Sequence, residues 1–482
     1  MSRNRIPTSF LGSLALVLTV LVSTACSTAT PVCAQPAAGE KTLPAATATP
    51  ALGTKTDWSS LGPARPYLRS LRGGPTFYEV TWCDIQHESG VMDWRNPDTV
   101  VDQAHGLGFN TMLKIRVGEC PWLTGEVPEY LRGKQAKTES SMPLDLTAYA
   151  EFVEQVVDRY ASAGVNEYAI ENEVNSESFW DGTVGEYRRL VAIAARVIHR
   201  TDPDAGVADA GMSSVASGYA VVDRLLRLGD AQRAVDAYNA YFSRRIGTRG
   251  EQIVRVRSEA GLRAALSLEK ARRNLAYMRV TERLVERGLV DARQIHFYEE
   301  WSSLPLLLEY LHATTPAAIP LELWELGAYL GHTQLDNRQA AAELVKVISL
   351  ALGGGVTKIV WIPLFAEPDG GEDLKLFGLL SSSATTRSAS AAFAALDAAA
   401  DKTVPVAING AAVVGTAFRR QRQGTAYLWS RCSPVIVSLP AGSRVGRAAS
   451  TRTARADDTM IGDEPVRIDF TVPVRAFLRT VS

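Results

Sequence analysis

Short apolar segments alternate with helical segments along most of this chain, and this alternation restricts its fold more than any other feature. Strands that are joined by helices pair in parallel, because each helix carries the chain back across the sheet. Seven segments can be interpreted directly as strands, and an eighth near Lys55–Trp58 is needed to complete a closed set. The seven are Phe77–Trp82, Thr111–Val117, Glu167–Ile170, Ala205–Ala210, Gln294–Tyr298, Pro320–Trp324 and Thr357–Ile362.

Eight strand–helix units between residues 55 and 400 predict an α/β fold of the (β/α)₈ type, the TIM barrel, which takes about 250 residues plus insertions. The alternative is an open, doubly wound sheet. It is disfavoured because no glycine-rich turn follows the first strand. One connection, about 231–290, is too long for a single helix, and its leucines recur at helical spacing. We interpret it as a helical insertion that walls a cleft, forms a dimer contact or packs on the outside of the barrel.

The composition changes on both sides of the barrel segment. Residues 28–54 are rich in Ala, Thr and Pro and cannot bury enough surface to fold, so we predict that they form a linker. Residues 401–482 contain short strand-like runs that are separated by Gly, Pro and polar turns. That pattern predicts a small all-β module of the sandwich type.

Residues 1–27 have the pattern of a secretory signal peptide. Arg3 and Arg5 precede an apolar run, Phe10–Val22, and small residues follow it. Cys26 lies behind those small residues, as in a lipoprotein signal, so it is a candidate for lipidation; cleavage without lipidation is the alternative. In either case we expect the mature protein outside the cytoplasm, secreted or lipid-anchored at the cell surface.

The overall composition is that of an ordinary soluble protein, with a formal net charge of −1 and 46% hydrophobic residues. A near-neutral chain without a basic tract gives no reason to expect a nucleic acid as partner, and it leaves a lipid anchor as the only expected membrane contact. The six histidines show no metal-ligand spacing, and no Gly-x-Ser-x-Gly motif is present. We therefore expect neither a metal nor a cofactor.

Cys83 and Cys120 each follow a predicted strand. The ends of neighbouring strands lie close enough for a disulfide, and the expected compartment is oxidising. A Cys83–Cys120 disulfide is one interpretation, and a pair of buried thiols is the other.

Two glutamates end apolar segments that are far apart in the chain, Glu173 in Tyr-Ala-Ile-Glu-Asn-Glu and Glu325 in Leu-Glu-Leu-Trp-Glu. In a (β/α)₈ barrel the strand ends surround the active site, and a carboxylate is costly to bury there without a function or a partner. Two carboxyls that face one gap can cleave a glycosidic bond. Glu171 is a rival to Glu173, and Glu299 and Glu300 are further carboxylates near the predicted cleft.

Other strand ends supply candidate substrate-binding side chains. Aromatic rings at such positions suit the apolar face of a sugar ring, and polar groups suit its hydroxyls. Four of the candidates also have a structural interpretation: the two tryptophans as barrel core, the arginine as partner of a carboxylate, and the histidine as a core residue. The candidates are Asn172, Trp82, Arg116, His296, Tyr298 and Trp361, with Lys114 as a further neighbour.

These motifs follow in an order that resembles the clan A retaining glycoside hydrolases. Asn172-Glu173 follows a fourth strand, a glutamate with Leu-Gly behind it follows a seventh, and Trp361 lies on an eighth. The small β module behind the barrel is most similar in layout to family 39, with families 5 and 42 as rivals. Three further segments share the resemblance, namely Thr81–Trp94, His296–Tyr298 and Phe377–Phe393.

The resemblance implies a glycosidase that acts on a glycoside, oligosaccharide or polysaccharide, with Glu173 as general acid/base and Glu325 as nucleophile. It also implies that Asn172 holds the sugar 2-hydroxyl and that Tyr298 hydrogen-bonds the nucleophile. Val174 and Trp324 depart from the family pattern, which has proline and serine or threonine there. The departures leave the substrate open and keep a second hypothesis in view, a non-catalytic glycan-binding or cell-surface protein on a hydrolase-like barrel.

Overall fold

The structure is a computed structural model that describes residues 50–58, 61–71, 73–125, 139–248, 253–331, 333–366, 377–420, 423–448 and 453–481. The predicted signal peptide with Cys26, and residues 28–49 of the predicted linker, lie outside these residues. Among the described residues, no helix combines the length and the apolar character that crossing a bilayer requires.

Eight parallel strands form the predicted barrel. They pair in two groups of four, in the order β2-β3-β4-β5 and β1-β8-β7-β6. Parallel bridges between Ala208 and Ala292 and between Met212 and Ile295 join the two groups at one seam. The strands are β1 (Ala51–Thr54), β2 (Pro75–Thr81), β3 (Asn110–Arg116), β4 (Glu167–Ile170), β5 (Gly206–Ala208), β6 (Arg293–Phe297), β7 (Leu321–Leu326) and β8 (Val356–Trp361).

The first strand lies at Ala51–Thr54, so its prediction near Lys55–Trp58 was wrong, and the barrel begins inside the segment predicted as linker. At the β1–β2 seam the two backbones come so close that a Cβ on Gly53 would lie 1.8 Å from the carbonyl oxygen of Pro75. The seam therefore requires a glycine. Because glycine and alanine are poor strand formers, the strand carries no β-branched pattern to reveal it.

Helices cover the outside of the barrel, and several carry the capping groups that satisfy their first N–H groups. The Asp145 side chain accepts from the N–H groups of Thr147 and Ala148, and Thr183 and Glu186 form a capping box. The helices of the barrel are α1 (Arg65–Ser70), α2 (Trp82–Ile85), α3 (Arg95–Gly106), α4 (Pro121–Thr124), α5 (Leu146–Ala161), α6 (Val184–Thr201), α7 (Ser214–Arg227), α8 (Ala231–Tyr241), α9 (Glu259–Leu266), α10 (Glu269–Glu286), α11 (Leu304–Thr314), α12 (Asn337–Gly353) and α13 (Ser388–Ala400), with 3₁₀ turns at Gly62–Ala64 and Trp301–Ser303.

Helices α8, α9 and α10 form the predicted helical insertion. Helix α8 packs against α7, and α10 packs against α6 and α7, which places both on the outside of the barrel.

The predicted disulfide is also present, with the Cα atoms of Cys83 and Cys120 5.8 Å apart. It joins the segments that follow β2 and β3.

The predicted all-β module follows the barrel. Six antiparallel strands form one sheet in the order β14-β13-β16-β11-β10-β9, and β12 pairs with β15. A final helix, α14 (Val474–Val481), covers this module's own core, where Phe477 stacks on Phe470 at 4.1 Å between ring centroids. The strands are β9 (Val404–Asn409), β10 (Val413–Arg420), β11 (Gln423–Ser430), β12 (Val435–Ser438), β13 (Arg444–Arg447), β14 (Ala454–Arg455), β15 (Asp458–Ile461) and β16 (Val466–Phe470).

Candidate active site

A cleft of about 1250 Å³ opens at the carboxyl ends of the barrel strands. Its walls come from the segments behind β1, β4, β5, β6 and β8, from Glu79 on β2 and Glu325 on β7, and from the helical insertion. Glu173 and Glu325 both line it, together with Asn172 and Tyr298. Four of the predicted site residues therefore share one open cavity at the end of the barrel where such active sites form.

The two glutamates face each other closely. One carboxylate oxygen from each, and a ring nitrogen of His296, all lie within 4.8 Å of one another. His296 Nδ1 lies 2.9 Å from Glu173 Oε1 and 3.5 Å from Glu325 Oε2. The imidazole ring of His296 thus contacts both glutamates.

Strained backbone presents Glu173 to the cleft. Glu171 and Glu173 have φ angles of 67° and 40°, in the left-handed region that costs a side-chain-bearing residue about 1–3 kcal/mol. Neighbouring groups hold this turn in place. The Glu171 carboxylate accepts from Val117 N at 2.9 Å and from Ser140 Oγ at 3.0 Å. Glu171 is therefore an anchor of the turn and not the rival carboxylate of the cleft.

A β-bulge directs Glu325 inward. In the pairing of β6 with β7, Ile295 is opposite Leu323 but His296 is opposite Glu325, so Trp324 is an extra residue in the ladder. Side chains normally alternate between the two faces of a strand, and a bulge resets that alternation. As a result Trp324 packs in the barrel interior and Glu325 still reaches the cleft.

The Glu325 carboxylate accepts two strong hydrogen bonds. Lys114 Nζ donates to Oε1 at 2.7 Å, and the Tyr298 hydroxyl donates to Oε2 at 2.8 Å. Burial acts to raise the pKa of this carboxyl, but the charges at His296, Lys114 and Lys55 outweigh it and hold the pKa well below its usual range. Burial and the nearby carboxylates raise the pKa of Tyr298 well above its ordinary value, so the phenol keeps its proton. Glu325 is therefore held as an anion.

Lys114 links this anion to Asn172. Its fully buried ammonium donates to Asn172 Oδ1 at 2.6 Å and lies 4.2 Å from the centroid of the Phe77 ring. Burial lowers the pKa of Lys114, and the carboxylates around it oppose that shift. Because an ammonium only donates, it fixes the orientation of the Asn172 amide and leaves Nδ2 as the group that can donate to a ligand.

A hydrogen bond joins His296 and Glu173. Gln294 Nε2 donates to the carbonyl oxygen of Asp209, so Gln294 Oε1 must accept from His296 Nε2 at 2.9 Å. The remaining nitrogen, Nδ1, then either donates to the Glu173 carboxylate or accepts from its protonated form. Gly211, with φ at 62°, makes room for this ring, because a Cβ there would lie 2.3 Å from Nε2.

The two predicted tryptophan platforms do not reach the cleft, and their assignment to the substrate was wrong. Trp82 starts α2 and stacks on Phe152 of α5 at 5.1 Å. Trp361 is fully buried and donates from Nε1 to the carbonyl oxygen of Phe377 at 2.9 Å. On β8 the neighbouring Val360 faces the barrel interior, so Trp361 faces the surrounding helices.

Arg116 likewise does not line the cleft. Its guanidinium has no exposed surface and pairs with Glu79 at 3.1 Å and Glu171 at 3.6 Å. The ring of Phe179, which lines the cavity, is centred 5.6 Å from Arg116 Cζ. Glu299 is also buried, in an ion pair with Arg245 at 2.7 Å. The structural interpretation of Arg116, as the partner of carboxylates, is the correct one.

Sequence reasoning missed an ion pair in the cleft. Lys55 Nζ lies 3.0 Å from Glu79 Oε1, and both residues line the cavity. Burial raises the pKa of Glu79, but Lys55, Lys114 and Arg116 bring it down to about 2. Glu79 and Lys114 are opposite each other in the β2–β3 ladder. Glu79 and Lys114 are charged residues inside two apolar strands, and that was the sequence signal that could have identified this cluster of charges.

The helical insertion forms one side of the cleft. We call this side the insertion wall and define it as Leu268, Glu269, Lys270, Arg273 and Asn274, which all line the cavity. The insertion therefore both walls the cleft and packs on the outside of the barrel, and a dimer contact stays a prediction.

Glu173, His296 and Glu325 are spaced like the ligands of a metal ion. The Lys114 ammonium, 2.7 Å from Glu325, already places a positive charge beside this group. That charge opposes the binding of a metal ion beside Glu325.

No protein-family model matches the chain, and no curated protein matches it. Solved structures do match this chain. A family 39 glycoside hydrolase from the gut symbiont Bacteroides cellulosilyticus WH2 has a TM-score of 0.56 and 12% identity, over 89% of this chain and 80% of that one. A monomeric β-xylosidase from Caulobacter crescentus CB15 has a TM-score of 0.53 and 14% identity, over 89% and 98%. A glucosidase from Croceicoccus marinus has a TM-score of 0.50 and 12% identity, over 85% and 92%.

At such identities the likeness establishes the fold. The fold is that of the TIM-barrel glycoside hydrolases, and a family 39 structure is among those it resembles. The resemblance inferred from the sequence motifs is therefore confirmed for the fold.

Proposed function

We propose that this chain is a retaining glycoside hydrolase, with Glu325 as nucleophile and Glu173 as general acid/base. One observation carries the proposal: carboxylate oxygens of the two residues lie within 4.8 Å of each other across an open cleft. Retaining enzymes hold their carboxyls about 5–5.5 Å apart, whereas inverting enzymes need about 6.5–9.5 Å to admit a water molecule. The separation supports direct attack by one of the carboxylates.

In the first step a Glu325 oxygen attacks the anomeric carbon of the sugar. The bond from that carbon to the leaving oxygen breaks, and the leaving oxygen takes a proton from Glu173. The products are an ester between the sugar and Glu325, a free alcohol and a Glu173 carboxylate. His296 Nδ1, 2.9 Å from Glu173, can hold or return the proton that this residue transfers.

In the second step water attacks the anomeric carbon and gives a proton to Glu173. The electron pair of the ester bond returns to Glu325, which leaves as a carboxylate. Lys114 and Tyr298 donate to that carboxylate at 2.7 and 2.8 Å, and so stabilise it as a leaving group. We further propose that the Asn172 amide, oriented by Lys114, binds the sugar 2-hydroxyl.

The two departures from the family pattern leave this machinery intact. Val174 is fully buried, and Trp324 packs on Phe77 in the barrel interior with its Nε1 donating to Glu322 at 2.8 Å. Neither residue lines the cleft. The non-catalytic hypothesis therefore finds no support in their positions.

A panel of aryl glycosides tests the proposed function. It begins with 4-nitrophenyl β-xyloside and β-glucoside, because two of the similar structures are a β-xylosidase and a glucosidase. We expect turnover of at least one glycoside by the wild-type protein. Saturable glycan binding without turnover, unchanged in Glu173→Gln and Glu325→Gln, would instead establish a binding protein.

Replacing Lys114 with methionine should shift the pH dependence of activity. Glu325 attacks only when ionised, so kcat/KM falls as the pH drops through its pKa. A cation within about 4–6 Å lowers a carboxyl pKa by about 1–3 units, so removing it moves the acidic limb of kcat/KM upward by about that much. Lys358→Met is the matched control, because Lys358 pairs with Glu167 and Glu322 away from the cleft. An acidic limb that stays in place in Lys114→Met would contradict this role.

A further inference from the structure

The insertion wall presents exposed side chains to the cleft that holds Glu173 and Glu325. Leu268, Glu269 and Lys270 are exposed to the cleft where α10 begins, and the Leu268 side chain is 48% exposed. An exposed leucine that faces an open cavity is a contact surface for whatever fills that cavity.

Hydrogen bonds tie the wall to the loop that carries Glu173. Asn175 Nδ2 donates to Asn274 Oδ1 at 2.6 Å. Arg273 Nε donates to the carbonyl oxygen of Asn175 at 3.1 Å, and its Nη2 donates to that of Trp180 at 2.8 Å. Asn175 is only two residues beyond Glu173. The wall is therefore built as a continuation of the acid/base loop.

Glu325 is not tied to the wall in this way. Its partners Lys114 and Tyr298 come from β3 and from the segment behind β6, and neither contacts the wall through a described hydrogen bond. In double displacement the general acid must touch the oxygen of the leaving group, while the nucleophile attacks from the opposite face. The surface next to Glu173 is thus the one that the leaving group meets.

We propose that the insertion wall binds the leaving group and selects a sugar unit there, so that the natural substrate is an oligo- or polysaccharide. This inference rests on the proposed function. Leu268 offers an apolar contact for one face of a sugar ring, and the flanking Glu269 and Lys270 offer partners for its hydroxyls. Phe179, half-buried on the loop behind β4, lines the same cavity and adds an aromatic surface for stacking. A small alcohol as leaving group would not contact these side chains.

Two substrates with the same reacting sugar test the proposal, an oligosaccharide and the glycosyl fluoride. Fluoride is too small to reach the wall and departs without a proton from Glu173. In Leu268→Ala we expect kcat/KM for the oligosaccharide to fall about five- to tenfold, as for loss of part of a buried leucine contact. The value for the fluoride should stay at the wild-type level. Leu228→Ala, at a more exposed leucine that ends α7 outside the cleft, is the control and should change neither value.

The remaining outcomes separate the two proposals. Equal losses on both substrates in Leu268→Ala, or no loss on either, would overturn the assignment of the wall to the leaving group while the hydrolase stands. A wild-type protein that hydrolyses neither substrate would overturn the proposed function itself, and the assignment of the wall with it.

Discussion

Replacing Glu325 with glutamine is expected to reduce kcat by on the order of 10⁴–10⁶-fold on every substrate, because the nucleophile of a covalent mechanism is lost. The amide has nearly the shape of the carboxylate but carries no charge. It also meets two donors, Lys114 and Tyr298, with a single oxygen that can accept. Steady-state kinetics on the best aryl glycoside of the panel measures the loss.

Glu322→Gln is the matched control for that variant. Glu322 lies on the same strand, is more deeply buried than Glu325, and pairs with Lys358 at 3.0 Å away from the cleft. It should keep near wild-type activity, and the melting temperatures of both variants show whether each is folded. A Glu325→Gln protein that retained a tenth of the wild-type kcat would rule out Glu325 as the nucleophile.

Replacing Glu173 with glutamine is expected to produce a loss that depends on the leaving group. A general acid contributes about 10²–10⁴-fold when the leaving oxygen needs a proton, and little when the leaving group is a good one such as 2,4-dinitrophenolate. The second step then becomes slow, because water has lost its base. Azide needs no base, so it should restore turnover and give the glycosyl azide with retained configuration.

Glu177→Gln serves as the control, because Glu177 is an exposed carboxylate that lines the same cleft. It should show neither the leaving-group dependence nor the rescue by azide. The same loss for good and poor leaving groups in Glu173→Gln, or azide without effect, would mean that another residue is the acid/base.

The barrel was predictable because most of its strands are short apolar runs with helices between them. Strand β1 escaped detection because its seam with β2 requires Gly53, which removes the usual strand pattern. Glu173 and Glu325 were found because a carboxylate at a strand end is unusual. These features lie within a few residues of the chain and can be recognised without knowing the packing.

Side-chain direction was the part that position alone did not reveal. Trp361 is at a strand end but faces the helices, because neighbouring residues of a strand alternate between its two faces. Trp82 begins α2 and packs on α5. Arg116 also ends a strand, yet it pairs with carboxylates and lies beside the Phe179 ring. The contacts of Lys114 depend on β3, β4 and β7 meeting in space, and the bulge at Trp324 depends on the register of two strands. These directions, contacts and registers depend on how the whole barrel packs, and no single segment of the sequence reveals them.

Trapping the covalent intermediate tests the central claim most directly. A 2-deoxy-2-fluoroglycosyl fluoride slows both steps, because fluorine at C2 opposes the positive charge that develops on the ring, while fluoride departs readily and lets the ester accumulate. The protein should gain the mass of one fluorosugar, and fragmentation of its peptides should locate that sugar on Glu325. A label on any other residue, or continued turnover of the probe by a protein that never carries a label, would contradict the double displacement proposed for Glu173 and Glu325.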